Sequence, residues 1–147
     1  MNPKVTVLMP VYNGEKYLKE AITSILLQTF DDFEFLIIND GSSDASVDII
    51  QSFRDPRIRL VHNDTNIGLI ATLNKGLKLA HGKYVARMDQ DDISLPRRLE
   101  KQTYFMDNNP DVGVCGTWIK LFMGLDYIKN ILCFTKKLDL SFCLSAH

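Results

Sequence analysis

Apolar runs with strand character alternate with amphipathic helical segments four times along the 147-residue chain. No other feature limits the possible folds as strongly. Val5-Thr6-Val7-Leu8-Met9 reads as a buried strand, β-branched and almost continuously apolar, which Pro10 should end. A helix is expected over Glu15 to Gln28, with Leu18, Ala21, Ile22, Ile25 and Leu26 on one stripe. Phe33 to Ile38 is the second strand. Asp44 or Ser43 then caps a helix carrying Val47, Ile50 and Phe53 inward. Ile58 to Val61 is a short third strand, followed by a helix with Ile70, Leu73, Leu77 and Ala80 at helical spacing and Gly82 as its stop. Lys83 to Met88 is the fourth strand. Ser94 reads as the cap of the next helix, with Pro96 in its first turn and Leu95, Leu99, Gln102 and Met106 on one stripe. Val112 to Trp118 is a fifth strand. Strands alternating with helices imply an α/β fold with a mostly parallel sheet covered on both faces.

In such a sheet, ligands bind beyond the carboxyl ends of the strands, where the strand order reverses. With a 3-2-1-4 order, the loops Pro10-Val11-Tyr12-Asn13, Asn39-Asp40-Gly41-Ser42 and Asp89-Gln90-Asp91-Asp92 meet on one rim. The third loop concentrates three carboxylates in four residues. Like charges so close repel, and a folded chain keeps them mainly where a cation neutralises them. Hard cations such as Mn²⁺ or Mg²⁺ take oxygen ligands, commonly one or two carboxylates with substrate phosphates completing the shell. A metal–phosphate site at a strand end follows. Neither G-x-G-x-x-G nor G-x-x-x-x-G-K-[ST] occurs, so a glycine loop does not hold the phosphates.

Composition excludes several classes. Hydrophobic residues make up 46% and charged residues 24%, the profile of one globular domain. A net charge of −1 gives no electrostatic footprint for nucleic acid. Three cysteines without C-x-x-C suggest neither a disulfide framework nor a zinc site. The N-terminal run lacks a cleavage site, and no segment approaches the roughly 18 apolar residues of a spanning helix. A cytoplasmic location, or the cytoplasmic face of a membrane, is expected.

Five motifs then resemble the family 2 inverting glycosyltransferases, which have the glycosyltransferase A fold and use nucleotide-diphosphate sugars. They are P-V-Y-N-G-x-x-Y-L at Pro10 to Leu18, I-L-L-Q-T at Ile25 to Thr29, I-I-N-D-G-S-S-D at Ile37 to Asp44, N-x-G at Asn66 to Gly68, and M-D-Q-D-D at Met88 to Asp92. The resemblance implies that Pro10, Val11 and Tyr12 line a base pocket and that Asp40 binds the base, commonly uracil. Asn39 stands where the family usually has an acid. Asp89 would lie near ribose and sugar, with Arg87 and Gln90 in the donor-binding set and Arg97 a helper. Asp91 would hold Mn²⁺ or Mg²⁺ on the diphosphate. The partner implied is a UDP-sugar, with a glycan or lipid-linked acceptor. Loss of Asp40, read as a turn residue, should cost no more than the roughly 1–2 kcal/mol of a cap.

The general base that inverting transfer needs lies well downstream in the family. Here Asp126 and Asp139 lack its setting, and the chain reads as a truncated donor-binding half. The division expected is a sugar-nucleotide domain over 1–122 and an atypical tail over 123–147. A catalytically inactive nucleotide-sugar-binding module is the alternative. The apolar residues of the tail suggest a two-fold homodimer through the C-terminal third. Trp118 reads as a core anchor.

Overall fold

A computed structural model describes residues 2–123 and 126–136, with side chains described through residue 116. The side chains expected to form a dimer interface, and that of Trp118, lie outside the described residues. The elements in chain order are β1 (Val5–Val11), α1 (Leu18–Leu26), β2 (Phe33–Asn39), α2 (Ser46–Ser52), β3 (Ile58–His62), α3 (Leu69–Leu79), β4 (Tyr84–Arg87), α4 (Arg98–Asn108), β5 (Val114–Met123) and β6 (Asp126–Lys136).

One sheet runs β3-β2-β1-β4-β6-β5. Its first four strands are parallel, in the order read from the sequence. β6 lies antiparallel between β4 and β5, so the β5 foreseen in sequence does not pair with β4 directly. The two-residue alternation of a strand sends side chains to opposite faces. Val5, Val7, Met9 and Val11 of β1 pack with Leu18, Ile22, Ile25, Ile50, Leu99 and Met106, so α1, α2 and α4 cover one face. Leu8 faces the other way and joins Leu36, Ile38, Val85, Leu73 and Leu77 under α3. Each fully buried Leu, Ile or Phe here contributes about 1.5–3 kcal/mol of transfer free energy.

Several local expectations need correction. Pro10 does not end β1, which runs on to Val11 and pairs Pro10 with Ile38. β4 stays in register only as far as Leu8↔Arg87. Pro10 shares the backbone parity of Leu8, so its missing N–H falls on the side that β4 has just left. The divergence of the two strands opens a cleft there. On α3, Ile70 is 65% exposed, while Thr72 and Gly76 are buried. A Cβ at Gly76 would overlap Leu8 Cδ1 and Ile38 Cδ1. The helix therefore turns Thr72 and Gly76, flanked by Leu73 and Leu77, toward the sheet and leaves Ile70 outside. Gly76→Ala should lower stability by about 1–3 kcal/mol through overpacking; urea unfolding measures this, and an unchanged midpoint would contradict the contact.

Ser94 and Pro96 do not open a helix: α4 begins at Arg98, Leu95 is 73% exposed, and Ser94 is buried with other work. Neither Asp44 nor Ser43 takes the cap position of α2, which is Ala45 without a side-chain cap bond; Asp44 Oδ1 accepts the Ser46 N–H at 3.0 Å from one residue earlier.

Candidate active site: a cleft beyond the ends of β1, β2 and β4

The loop after β1 turns through Asn13, whose φ of +48° suits asparagine among the non-glycine residues. That turn is fastened to the loop after β2. Asn13 N–H donates to Ser42 Oγ at 3.0 Å, and Asn13 Oδ1 accepts the Ser43 N–H at 2.9 Å. Gly14 N–H donates to Ser46 Oγ at 2.8 Å. Glu15 N–H donates to Asp44 Oδ2, while the Ala45 N–H donates to Glu15 Oε2, both at 3.0 Å. These bonds make one rigid rim from two loops.

Asp40 binds the third loop to that rim. It is 3% exposed. Its Oδ1 accepts from Asn63 Nδ2 at 2.7 Å and from the Ile67 N–H at 2.9 Å, and its Oδ2 accepts from the Gly68 N–H at 2.9 Å. Burial alone would raise its pKa. The donors Ile67 N–H, Asn63, Thr72 and Gly68 N–H together outweigh burial and hold the carboxyl below the usual carboxylate range. Asp40 is thus the knot of the 63–68 loop as well as a wall of the cleft.

The acidic loop is held at both ends. At its start, Arg98 is 6% exposed and donates from Nη2 to the Arg87 carbonyl at 2.8 Å and from Nε to Gln102 Oε1 at 3.1 Å. Burial pulls its pKa down to about 10, while the charges of Asp92 and Asp89 oppose that pull. The guanidinium remains a cation beneath the carboxylates. At its far end, buried Gln28 donates to the Leu95 carbonyl at 2.8 Å and to Ser94 Oγ at 3.1 Å, and accepts the Leu99 N–H at 3.0 Å. Ser24 Oγ accepts the Ser94 N–H at 3.0 Å. Between these anchors, burial and then repulsion from Asp89 and Asp91 push the Asp92 carboxyl up, against the pull of Arg98 and Arg87.

Pro10, Val11, Tyr12, Asp40, Arg87, Asp89, Gln90 and Asp91, the eight residues singled out in the sequence, all line one open cleft of about 300 Å³. Asn66, Gly68 and Leu69 complete its wall. Tyr12 is 47% exposed there. Arg87 Nη2 lies 2.8 Å from Asp89 Oδ1 and 3.0 Å from Oδ2, so Asp89 is ion-paired. Asp91 is exposed, and no hydrogen bond or ion pair among the described residues engages it. Arg97 is not in the cleft wall; it pairs with Glu100 at 3.0 Å. Gln90 spends its amide on the Tyr12 backbone, accepting the Tyr12 N–H at 2.8 Å and donating to the Tyr12 carbonyl at 3.1 Å.

Gln28 and Arg98 were not foreseen. Gln102 on an otherwise apolar stripe was the available signal: a buried amide needs a polar partner, and Arg98 stands four residues before it.

Among the described residues no group of three metal-ligating side chains occurs. The donor set instead offers Asp91, with Asp89 beside it. That fits a hard cation whose remaining ligands are phosphate oxygens and water. No helix among the described residues is long and apolar enough to cross a membrane.

Residues 6–142 match the family model described as Glycosyl transferase family 2. An uncharacterized glycosyltransferase of Methanocaldococcus jannaschii is 45% identical over 121 residues, covering 80% of this chain and 42% of its own length. The putative glycosyltransferase EpsE of Bacillus subtilis is 42% identical over 123 residues, 82% of this chain and 44% of its own. Among solved structures, S. aureus TarS 1-349 in complex with UDP-GlcNAc superposes with a TM-score of 0.71 at 30% identity, over 76% of this chain and 33% of that one. The mannosyltransferase PcManGT from Pyrobaculum calidifontis, in complex with GDP-Man and Mn²⁺, gives 0.69 at 25% identity, over 78% and 35%. This chain spans less than half the length of each of these four proteins. With its sheet order, its cleft and a family match over nearly its whole length, the chain belongs to glycosyl transferase family 2 and has the glycosyltransferase A fold.

Proposed function

We propose that this chain is the donor-binding half of an inverting glycosyltransferase, holding a nucleotide-diphosphate sugar, with UDP-sugar first in order, together with Mn²⁺ or Mg²⁺. One observation carries the reading. A single cleft is lined by a buried carboxylate, Asp40, a half-exposed aromatic ring, Tyr12, an Arg87–Asp89 pair and the unengaged carboxylate of Asp91. Asp40, in the cleft wall, offers a carboxylate to a base, such as the imide N–H of a uracil. The Tyr12 ring offers a stacking face. Arg87 is within reach of a diphosphate, provided it leaves Asp89.

TarS is solved with UDP and with UDP-GlcNAc, and PcManGT with GDP-Man and Mn²⁺; these support a nucleotide sugar and a divalent metal for this chain. Asp91, with Asp89 beside it, would hold the ion. When bound, the ion stabilises the negative charge left on the departing diphosphate. The chain's own residues bind and orient the donor. The acidic loop, fixed by Arg98 and Gln28, presents its carboxylates without first having to order itself.

A donor-holding module that transfers nothing alone is the second reading. It is favoured by the cleft's carboxylates: Asp40 is committed to the 63–68 loop and Asp89 to Arg87, so assigning Asp91 to the metal leaves none of the three as the base that inversion requires.

Calorimetric titration of UDP in Mn²⁺, and again in chelator, tests the donor site. Affinity should fall at least tenfold without metal; equal affinities would remove the metal role, and no binding of UDP or GDP in either condition would remove the donor site.

A further inference from the structure

Gln90 separates Asp89 from Asp91 in the acidic loop, and its side chain turns away from that loop. Both ends of its amide bond to the backbone of a single residue on another loop: Oε1 takes the Tyr12 N–H at 2.8 Å and Nε2 gives to the Tyr12 carbonyl at 3.1 Å. This is the pattern of a strand pairing with one residue, made by a side chain 78 positions away. Gly14 makes room for it. A Cβ at Gly14 would stand 2.7 Å from Gln90 Cδ and Oε1, closer than atoms tolerate. Gly14 has no positive φ, so that space, rather than backbone freedom, is what a side chain there would take away.

The far side of the Tyr12 loop is already fixed to the loop after β2 by Asn13, Gly14 and Glu15. The acidic loop is fixed to α1 and α4 by Gln28 and Arg98. Gln90 joins these two assemblies directly, from the middle of the acidic loop to the Tyr12 backbone. The Tyr12 backbone takes one N–H of Nε2 and one lone pair of Oε1, so the plane of the amide is set by the Tyr12 loop.

Resting on the donor-binding reading above, we propose that Gln90 is a positioning residue rather than a donor contact. It brackets the Tyr12 loop to the metal loop, so that the base end and the diphosphate end of the cleft are held at one fixed separation. A ligand that fills one end alone does not sense that separation. A ligand that spans both ends does, because its second contact forms at an effective concentration set by how well the two ends are held relative to each other.

The test uses the 147-residue chain, Gln90→Met, which keeps the bulk and loses both bonds, and Gly14→Ala, which displaces the amide from the other side. UDP with Mn²⁺ should bind each variant about tenfold more weakly than wild type, the loss expected when a few hydrogen bonds no longer hold the two ends. Uridine alone and pyrophosphate with Mn²⁺ should each bind within about twofold of wild type. Tyr12 amide hydrogen exchange should speed up in both variants without any ligand. In the combined Gly14→Ala/Gln90→Ala variant, the UDP loss should not exceed that of Gln90→Ala alone, since both changes break the same bracket. UDP affinity unchanged in the variants, or a loss concentrated in one fragment, would overturn the bracket while leaving the donor site standing. Absence of UDP binding by wild type would overturn both. If Gln90→Met does not fold, Gly14→Ala decides the matter alone.

Discussion

Asp40→Ala should destabilise the domain by about 3 kcal/mol at neutral pH, because it strips a buried carboxylate from several donors at once. Asn63 Nδ2 and the N–H groups of Ile67 and Gly68 lose their acceptor, and each donor left unpaired costs about 1–3 kcal/mol, least where water can reach it. The cap-sized loss expected from the sequence is therefore too small, since a turn carboxylate was assumed to be solvated and this one is 3% exposed. The pH dependence has a definite sign. The folded pKa lies below the ordinary value of about 3.9. The stabilisation is thus complete above that ordinary value and is lost as pH falls through the lower, folded one. Denaturant unfolding of wild type and variant at pH 7 and near pH 3 should show a wide gap that narrows in acid. A gap of equal width at both would mean that the charge of Asp40 contributes nothing. UDP binding should weaken too, through the displaced 66–68 wall as well as through any direct contact.

Asp91→Ala should have the opposite profile, with a large effect on binding and almost none on the fold. Its carboxylate is exposed, and nothing among the described residues depends on it, so stability should stay within about 0.5 kcal/mol. Its removal even relieves repulsion on Asp92. The metal-dependent part of nucleotide affinity should fall by about 100-fold, at the upper end of what loss of a supporting group costs a metal site, since a ligand itself is lost. Calorimetry of UDP with Mn²⁺ beside a thermal melt measures both. A variant that keeps the wild-type response to Mn²⁺ would show that Asp91 is not the metal ligand, and Asp89, released from Arg87, would then be the group to replace.

The strand order and the meeting of three loops could be read from the chain because they depend on local patterns. A run such as Phe35 to Ile38 has few places other than the centre of a sheet, and parallel strands joined by helices put their loops on one rim. What escaped was non-local or a matter of shape. Residues 126–136 of β6 form a strand, but nothing in their order says that they slip between β4 and β5. The face that α3 buries is chosen by how closely a helix can approach when Gly76 and Thr72 meet the sheet, and apolar spacing alone favoured Ile70. Asp40 and Gln90 were recognised as residues of the site by motif. How each spends its hydrogen bonds depended on partners 23 to 28 positions away for Asp40 and 78 for Gln90, which no local pattern encodes.

The two arginines beside the acidic loop differ in their exposure to dissolved salt. Arg87 meets Asp89 with its side chain 45% exposed, where mobile ions screen charges over about 10 Å at 0.1 M. Arg98 lies almost wholly beneath the surface, where counterions do not follow. Rising ionic strength therefore loosens the lateral grip on Asp89 while leaving the cation below the loop at full strength. The carboxylates gain freedom to exchange partners, and the backbone that carries them stays where it is.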